Sequence, residues 1–223
     1  MLPSTRVRIK ICCIASVDEA WMAIDAGASA IGLVSAMPSG PGPIPESRIA
    51  EIAAVAPPGI ATFLLTCSQD VDAIVAQQKR TGANTLQLVD RVEPRDHRLL
   101  REALPGISIV QVIHVRGADA LDEAREAAEH VHAILLDSGN PSLSVKELGG
   151  TGRTHDWQVS RAIREAIGVP LFLAGGLNPT NVAEAIRVVR PFGVDVCSGL
   201  RRSGALDQDL AAAFCRAVQT MTA

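Results

Sequence analysis

Eight short apolar runs alternate with eight longer amphipathic stretches along this chain, and the alternation predicts a single-domain (β/α)8 barrel, the TIM-barrel class of α/β fold. Two further observations point the same way. No composition shift or linker divides residues 1–223, and 223 residues suit the compact end of the eightfold architecture. A doubly wound open sheet is the competing arrangement, because alternation alone does not show that the sheet closes.

The first strand is expected over Arg8 to Cys13 and the first helix over Val17 to Ala26. Ala28 to Val34 forms the second strand, followed by a Pro/Gly-rich loop and a helix from Glu46 to Val55. Ile60 to Thr66 pairs with Asp70 to Arg80, and Thr85 to Val89 with Asp96 to Leu104. Ser108 to Val112 precedes Ala118 to Glu129, and His132 to Leu136 precedes a long loop and the helix Asp156 to Ile167. Pro170 to Leu173 leads to Pro179 to Val189, and Gly193 to Cys197 leads to Asp207 to Val218. Each strand run is too short and too apolar for a surface helix, and each longer stretch has one apolar face.

Composition narrows the function classes. A hydrophobic share of 48% supplies a packed core and excludes a disordered chain. A net charge of −3 and an aromatic share of 3% remove both the basic surface and the stacking platforms of a nucleic-acid binder. No apolar segment is long enough to span a bilayer, and the first residues lack a signal-peptide pattern. Cysteines at positions 12, 13, 67, 197 and 215 follow no disulfide-scaffold or CxxC spacing, so a cytoplasmic protein is expected.

Barrel enzymes place their chemistry where strands end, which ranks the remaining candidates. Alternation along the first strand puts Lys10 and Cys12 on one face, toward the barrel interior, and Ile9, Ile11 and Cys13 on the other. A cation beside Cys12 favours its thiolate, although a small core cysteine fits the same position. Asp137 follows four apolar residues of the sixth strand, where burial raises a carboxyl pKa; its turn-rich sequel Ser138-Gly139-Asn140-Pro141 also suits an ordinary turn aspartate. The long loop that follows carries Gly149-Gly150-Thr151-Gly152 and Arg153, a lid-like element able to approach a ligand closely.

Gly175 and Gly176 end the seventh strand, with Asn178 as candidate N-cap before Pro179, and Ser198 and Gly199 follow the eighth. Loops after strands seven and eight form a recurrent phosphate site in this architecture. His130 and His132 have metal-ligand spacing but lie at the start of a strand, the stability end, so no metal site is expected. Trp21 and Trp157 are expected to pack within their helices.

The chain resembles the phosphoribosylanthranilate isomerase family of tryptophan biosynthesis. Lys10-Ile11-Cys12, Leu135-Leu136-Asp137-Ser138, Gly149-Gly150-Thr151-Gly152 with Asp156-Trp157, the run from Leu173 to Val182, and Gly193 to Gly199 carry the likeness in family order. The resemblance implies an Amadori rearrangement of an aldosylamine to a 1-deoxyketose, with Cys12 as general base and Asp137 as general acid. It implies a phosphosugar site built from Lys10, Gly150, Gly152, Gly175, Gly176, Ser198 and Gly199, no cofactor, and a monomer or homodimer.

Four positions depart from that family. Ser39-Gly40-Pro41-Gly42-Pro43 lacks the arginine that holds the anthranilate carboxylate, leaving Arg48, Arg153 and Arg201 as candidate substitutes. Gln87-Leu88-Val89-Asp90 stands in place of Gln-Leu-His-Gly, Leu200-Arg201-Arg202 in place of valine and glutamate, and Cys13 in place of the glycine after the base. A diverged phosphosugar-binding barrel, acting on another isomerase or epimerase substrate or as a non-catalytic regulator, is the alternative reading.

Overall fold

The computed structural model describes residues 6–117, 119–150 and 152–221. Ala118, expected to start the fifth helix, and Thr151 of the glycine-rich loop lie outside the described residues. Eight parallel strands close into a barrel in chain order: β1 Arg8–Ile11, β2 Ala30–Val34, β3 Ala61–Thr66, β4 Thr85–Leu88, β5 Ser108–His114, β6 Ala133–Asp137, β7 Leu171–Leu173 and β8 Gly193–Val196. The open-sheet alternative is excluded because β8 pairs with β1, Lys10 standing opposite Asp195.

Helices follow each strand: α1 Val17–Ala26, α2 Glu46–Val55, α3 Val71–Thr81, α4 Pro94–Ala103, α5 Ala120–Ala128, α6 Trp157–Ala166, α7 Val182–Val189 and α8 Gln208–Thr220. Their starts are written in short polar side chains. Ser16, Asp70, Asp156 and Asp207 each accept a backbone N–H from the first turn they precede. Asn178 does not cap α7 as expected. Its carboxamide oxygen instead accepts from the Thr180 and Asn181 N–H groups, closing a turn that delays the helix to Val182. A two-stranded ribbon, β9 Arg201–Arg202 with β10 Ala205–Leu206, adds an antiparallel excursion before α8.

Strand alternation divides the core into two layers. Ile9, Ile11, Ile31, Leu33, Leu64, Leu86, Ile109 and Ile134 point outward and pack under the helices. Ala30, Val34, Phe63, Leu65, Val110, Leu135 and Phe172 point inward and fill the barrel. Phe172 packs edge-on against Phe63 at 5.8 Å, and a Cβ on Gly193 would fall 2.6 Å from the Phe172 ring. Trp157 packs against the outer layer, whereas Trp21 is 42% exposed on α1, contrary to its expected packing.

Lys10 also points inward, with no exposed surface. Its ammonium lies 2.9 Å from Asp195 and 5.2 Å from the centre of the Phe63 ring. The two charges meet as an ion pair without an aligned hydrogen bond. Burial pulls the Lys10 ammonium down, but the carboxylate of Asp195 reverses this and holds it above its ordinary value. Breaking a buried pair on one side leaves an uncompensated charge, a loss of about 3–5 kcal/mol. Lys10→Met is therefore expected to lower unfolding stability in urea by that amount, and Lys10→Met combined with Asp195→Leu to recover most of it.

Candidate active site

A cavity of about 690 Å³, its open mouth included, lies at the C-terminal end of the strands. Cys12 and Asp137 both line it, together with Gly150, Gly152, Gly175, Gly176 and Ser198. Five of the expected phosphate-site residues thus share one chamber with the thiol and the carboxyl group. Lys10 and Gly199 do not line it. Lys10 sits beneath the floor on Asp195, and Gly199 packs against the Leu177 carbonyl, where a Cβ has no room.

Each element delivers its group by a simple local rule. Cys12 follows the last paired residue of β1, its N–H bonded to the Val196 carbonyl at 2.8 Å. It keeps the inward register of Lys10, so a point above Gly32 lies 2.6 Å from its sulfur and 3.0 Å from the Lys10 nitrogen. Only glycine at position 32 leaves room for both. Asp137 closes β6 and accepts the Ser138 N–H at 2.7 Å. Gly149 of the β6–α6 loop comes so close above it that a Cβ would lie 2.6 Å from Oδ2.

Cys13 was expected on the outward face with Ile9 and Ile11. The structure places it in the inner layer instead, lining the cavity. Pairing in β1 stops at Ile11, and Cys13 adopts a left-handed backbone with φ +63°, so the alternation no longer applies. That conformation suits the glycine expected there by resemblance.

Two loops roof the chamber. Ser39 donates its hydroxyl to the Lys146 carbonyl at 2.6 Å, and Lys146 pairs with Asp90, tying the β2 and β6 loops to the end of β4. Gly150 lies against Pro41 so closely that a Cβ would meet its ring at 2.5 Å. Val34, Met37, Leu65, Val89 and Leu148 make the wall on this side apolar.

None of the three candidate arginines lines the cavity. Arg48 pairs with Glu51 on the surface of α2, and Arg153 pairs with Glu147. Arg201 binds Glu19, and its guanidinium also donates to the Cys13 carbonyl behind the β1–α1 turn. His132 accepts the Ile109 N–H at 2.9 Å, a strand-start contact away from the mouth.

Sequence reasoning gave no role to Asp195, Gln87 and Cys197, which line the cavity. Asp195 was findable: in Gly193-Val194-Asp195-Val196 it is the polar residue out of phase with two outward valines. Gln87 likewise alternates with the outward Leu86 and Leu88.

Asp137 lines the cavity, and desolvation pushes its carboxyl up to about 6, helped by the charge of Asp195 and opposed by the Ser138 N–H and Lys10. The folded protein therefore binds more protons than the unfolded chain between pH 3.8 and about 6, and stability falls as pH rises through that window. The full loss is roughly 3 kcal/mol, reached above the folded value. Asp137→Asn is expected to unfold at higher temperature than the parent at pH 7.5, with the difference gone below about pH 4. Equal melting temperatures at both pH values contradict this.

Comparison with known proteins fits the geometry. A family profile described as N-(5'phosphoribosyl)anthranilate (PRA) isomerase matches residues 9–217. The chain is 39% identical over 215 residues to N-(5'-phosphoribosyl)anthranilate isomerase of Haloferax volcanii, covering 96% of this chain and 93% of that protein. Its fold superposes on the crystal structure of phosphoribosyl anthranilate isomerase from Thermotoga maritima with a TM-score of 0.83 at 30% identity, covering 96% of this chain and 99% of that one. A second solved structure, phosphoribosyl anthranilate isomerase in complex with reduced 1-(o-carboxyphenylamino)-1-deoxyribulose 5-phosphate, gives a TM-score of 0.81 at 28% identity, with the same coverage. This chain belongs to the N-(5'-phosphoribosyl)anthranilate isomerase family.

Proposed function

We propose that this protein catalyses the Amadori rearrangement of N-(5'-phosphoribosyl)anthranilate to its 1-deoxyribulose product, with Asp137 as general acid and Cys12 as general base. The observation that carries the reading is the placement of both groups in one chamber, between a glycine-lined end and an apolar end. A relative of the same fold binds a reduced deoxyribulose 5-phosphate carrying a carboxyphenylamino group, which has the same two ends.

Asp137 is protonated over much of the acidic range and still exchanges a proton near neutrality. It gives that proton to the ribose ring oxygen as the bond from C1 to that oxygen breaks, leaving an iminium ion. The Cys12 thiolate then takes the proton from C2, and the electron pair moves to form the enolamine. Tautomerisation yields the ketose. The Lys10 ammonium beneath Cys12 faces the developing charges, and its pairing with Asp195 keeps it fixed.

Gly175, Gly176 and Ser198, with Gly150 and Gly152 above them, suit the phosphate: glycines admit close backbone approach, and Ser198 brings a hydroxyl. The aromatic ring rests on Val34, Met37, Leu65, Val89 and Leu148. The reading carries with it a cytoplasmic enzyme, monomeric or homodimeric. No helix of the described residues is long and apolar enough to cross a membrane.

Loss of either proton-transfer group lowers turnover by about 10²–10⁴-fold. Cys12→Ala and Asp137→Ala are each expected to lose N-(5'-phosphoribosyl)anthranilate turnover to that degree with circular dichroism unchanged; wild-type rates in both would remove the assignments. Among the described residues no guanidinium lines the apolar end, so an analogue lacking the ring carboxylate is expected to react within about tenfold of the natural substrate in kcat/KM. A bidentate charge-assisted clamp contributes more than that, and a hundredfold preference for the carboxylated substrate would reveal one.

A further inference from the structure

Two thiols that the isomerisation leaves unused face each other at the cavity rim. The sulfurs of Cys13 and Cys197 are 2.6 Å apart, closer than non-bonded sulfurs sit, although both residues are free cysteines. The first belongs to the turn after β1, the second to the turn after β8, so 184 positions of sequence separate them. A disulfide needs about 2.05 Å between sulfurs, and the pair reaches it with a sub-ångström approach.

From this juxtaposition we infer that Cys13 and Cys197 form a reversible redox-modification site, oxidised to an intramolecular disulfide by a low-molecular-weight disulfide and coupling turnover to the thiol poise. In cytoplasmic proteins disulfides are characteristically transient rather than structural, which matches a pair that closes on demand.

The surroundings assign the two sulfurs different parts. Cys197 is partly exposed and Cys13 buried. A hydrogen bond with Cys13 holds the Cys197 thiol below its ordinary value, against the opposing effect of burial, and the charge of Arg201 adds to it. Hydrogen bonds to Cys12 and Cys197 push the Cys13 thiol up. Cys197 is thus the nucleophile and Cys13 the resolving thiol. The Cys197 thiolate attacks one sulfur of the small disulfide, forming a mixed disulfide and expelling one small thiolate. Cys13, giving up its proton, attacks the Cys197 sulfur and expels the second. Two protein thiols are oxidised to one disulfide, and the small disulfide is reduced to two thiols.

Closure reaches the reaction centre through short links. Cys13 directly follows Cys12, Cys197 directly precedes Ser198, and the Cys13 sulfur also donates to the Pro41 carbonyl of the roof loop at 3.7 Å. Gly42 touches the same side chain, a Cβ there falling 2.6 Å from the Cys13 Cβ. Sub-ångström displacement of a reacting group is felt strongly in the rate, so turnover falls about tenfold in the bridged form.

The full-length protein, titrated with mixtures of reduced and oxidised glutathione, quenched in acid and alkylated, tests this by peptide mass mapping. The expected result is a single cross-link joining the Cys13 and Cys197 peptides, formed before Cys67 is modified, with activity lost in step and restored by dithiothreitol. Cys12→Ser is expected to form the same cross-link, which separates the bridge from the catalytic thiol. Cys197→Ser, whatever its own rate, is expected to keep that rate across the titration. A stable glutathione adduct on Cys197, a cross-link that includes Cys12, or loss of activity in Cys197→Ser parallel to the parent would each overturn the inference.

Discussion

Lys10 and Asp195 bring opposite charges into the interior of the barrel, and the placement of the chemistry follows from how that interior accommodates them. Parallel pairing sets the two residues side by side on β1 and β8, and alternation turns both inward. A lone ammonium there would lose its charge; paired with Asp195 it keeps it. The pair then acts as a fixed dipole beneath the cavity. Its positive end lies under Cys12, and its negative end adds to the burial that raises the Asp137 carboxyl to about 6. One ion pair therefore lies beside both of the groups proposed to transfer protons, within a single chamber.

The roof complements that floor. Loops after β2 and β6 meet over the mouth through Ser39, Pro41, Gly150 and the Lys146 carbonyl, and Gly149 closes over Asp137. These contacts need backbones without side chains at the crossing points, which is why the glycines cluster there. Excluding water above Asp137 is also what raises its pKa, so the roof loops and the raised carboxyl are one device.

Most of the fold was legible because it rests on a strong periodic signal. Parallel strands buried on both faces read as apolar runs, and the interruptions in those runs, Lys10 and Asp137, named the interior face and the mouth. The failures have a common physical cause. Cys13 left its predicted face because the strand ends two residues earlier, and Asn178 closed a turn instead of capping a helix; both are choices between backbone conformations at an element boundary. Spacing does not encode such choices. Asp195 was different, since its register was readable and only its partner across the barrel closure was missing from a one-dimensional view.

The departures from the family pattern acquire a joint meaning once they are seen in space. Cys13 and Arg201 lie far apart in the chain yet meet where the Arg201 guanidinium grips the Cys13 carbonyl and binds Glu19. A non-glycine residue in the left-handed region carries a backbone penalty of order 1 kcal/mol. Arg201 offsets it by satisfying the turn carbonyl, and Glu19 holds the arginine while accepting the Ala15 and Leu206 N–H groups. This closed set of contacts explains why Arg201 does not serve as the carboxylate clamp: moving it into the cavity would leave the Cys13 turn and the Glu19 carboxylate without their partner. On the proposed reading the apolar end of the chamber recognises an aromatic ring by shape and contact, and discrimination falls to the glycine-lined end, where backbone and hydroxyl groups converge.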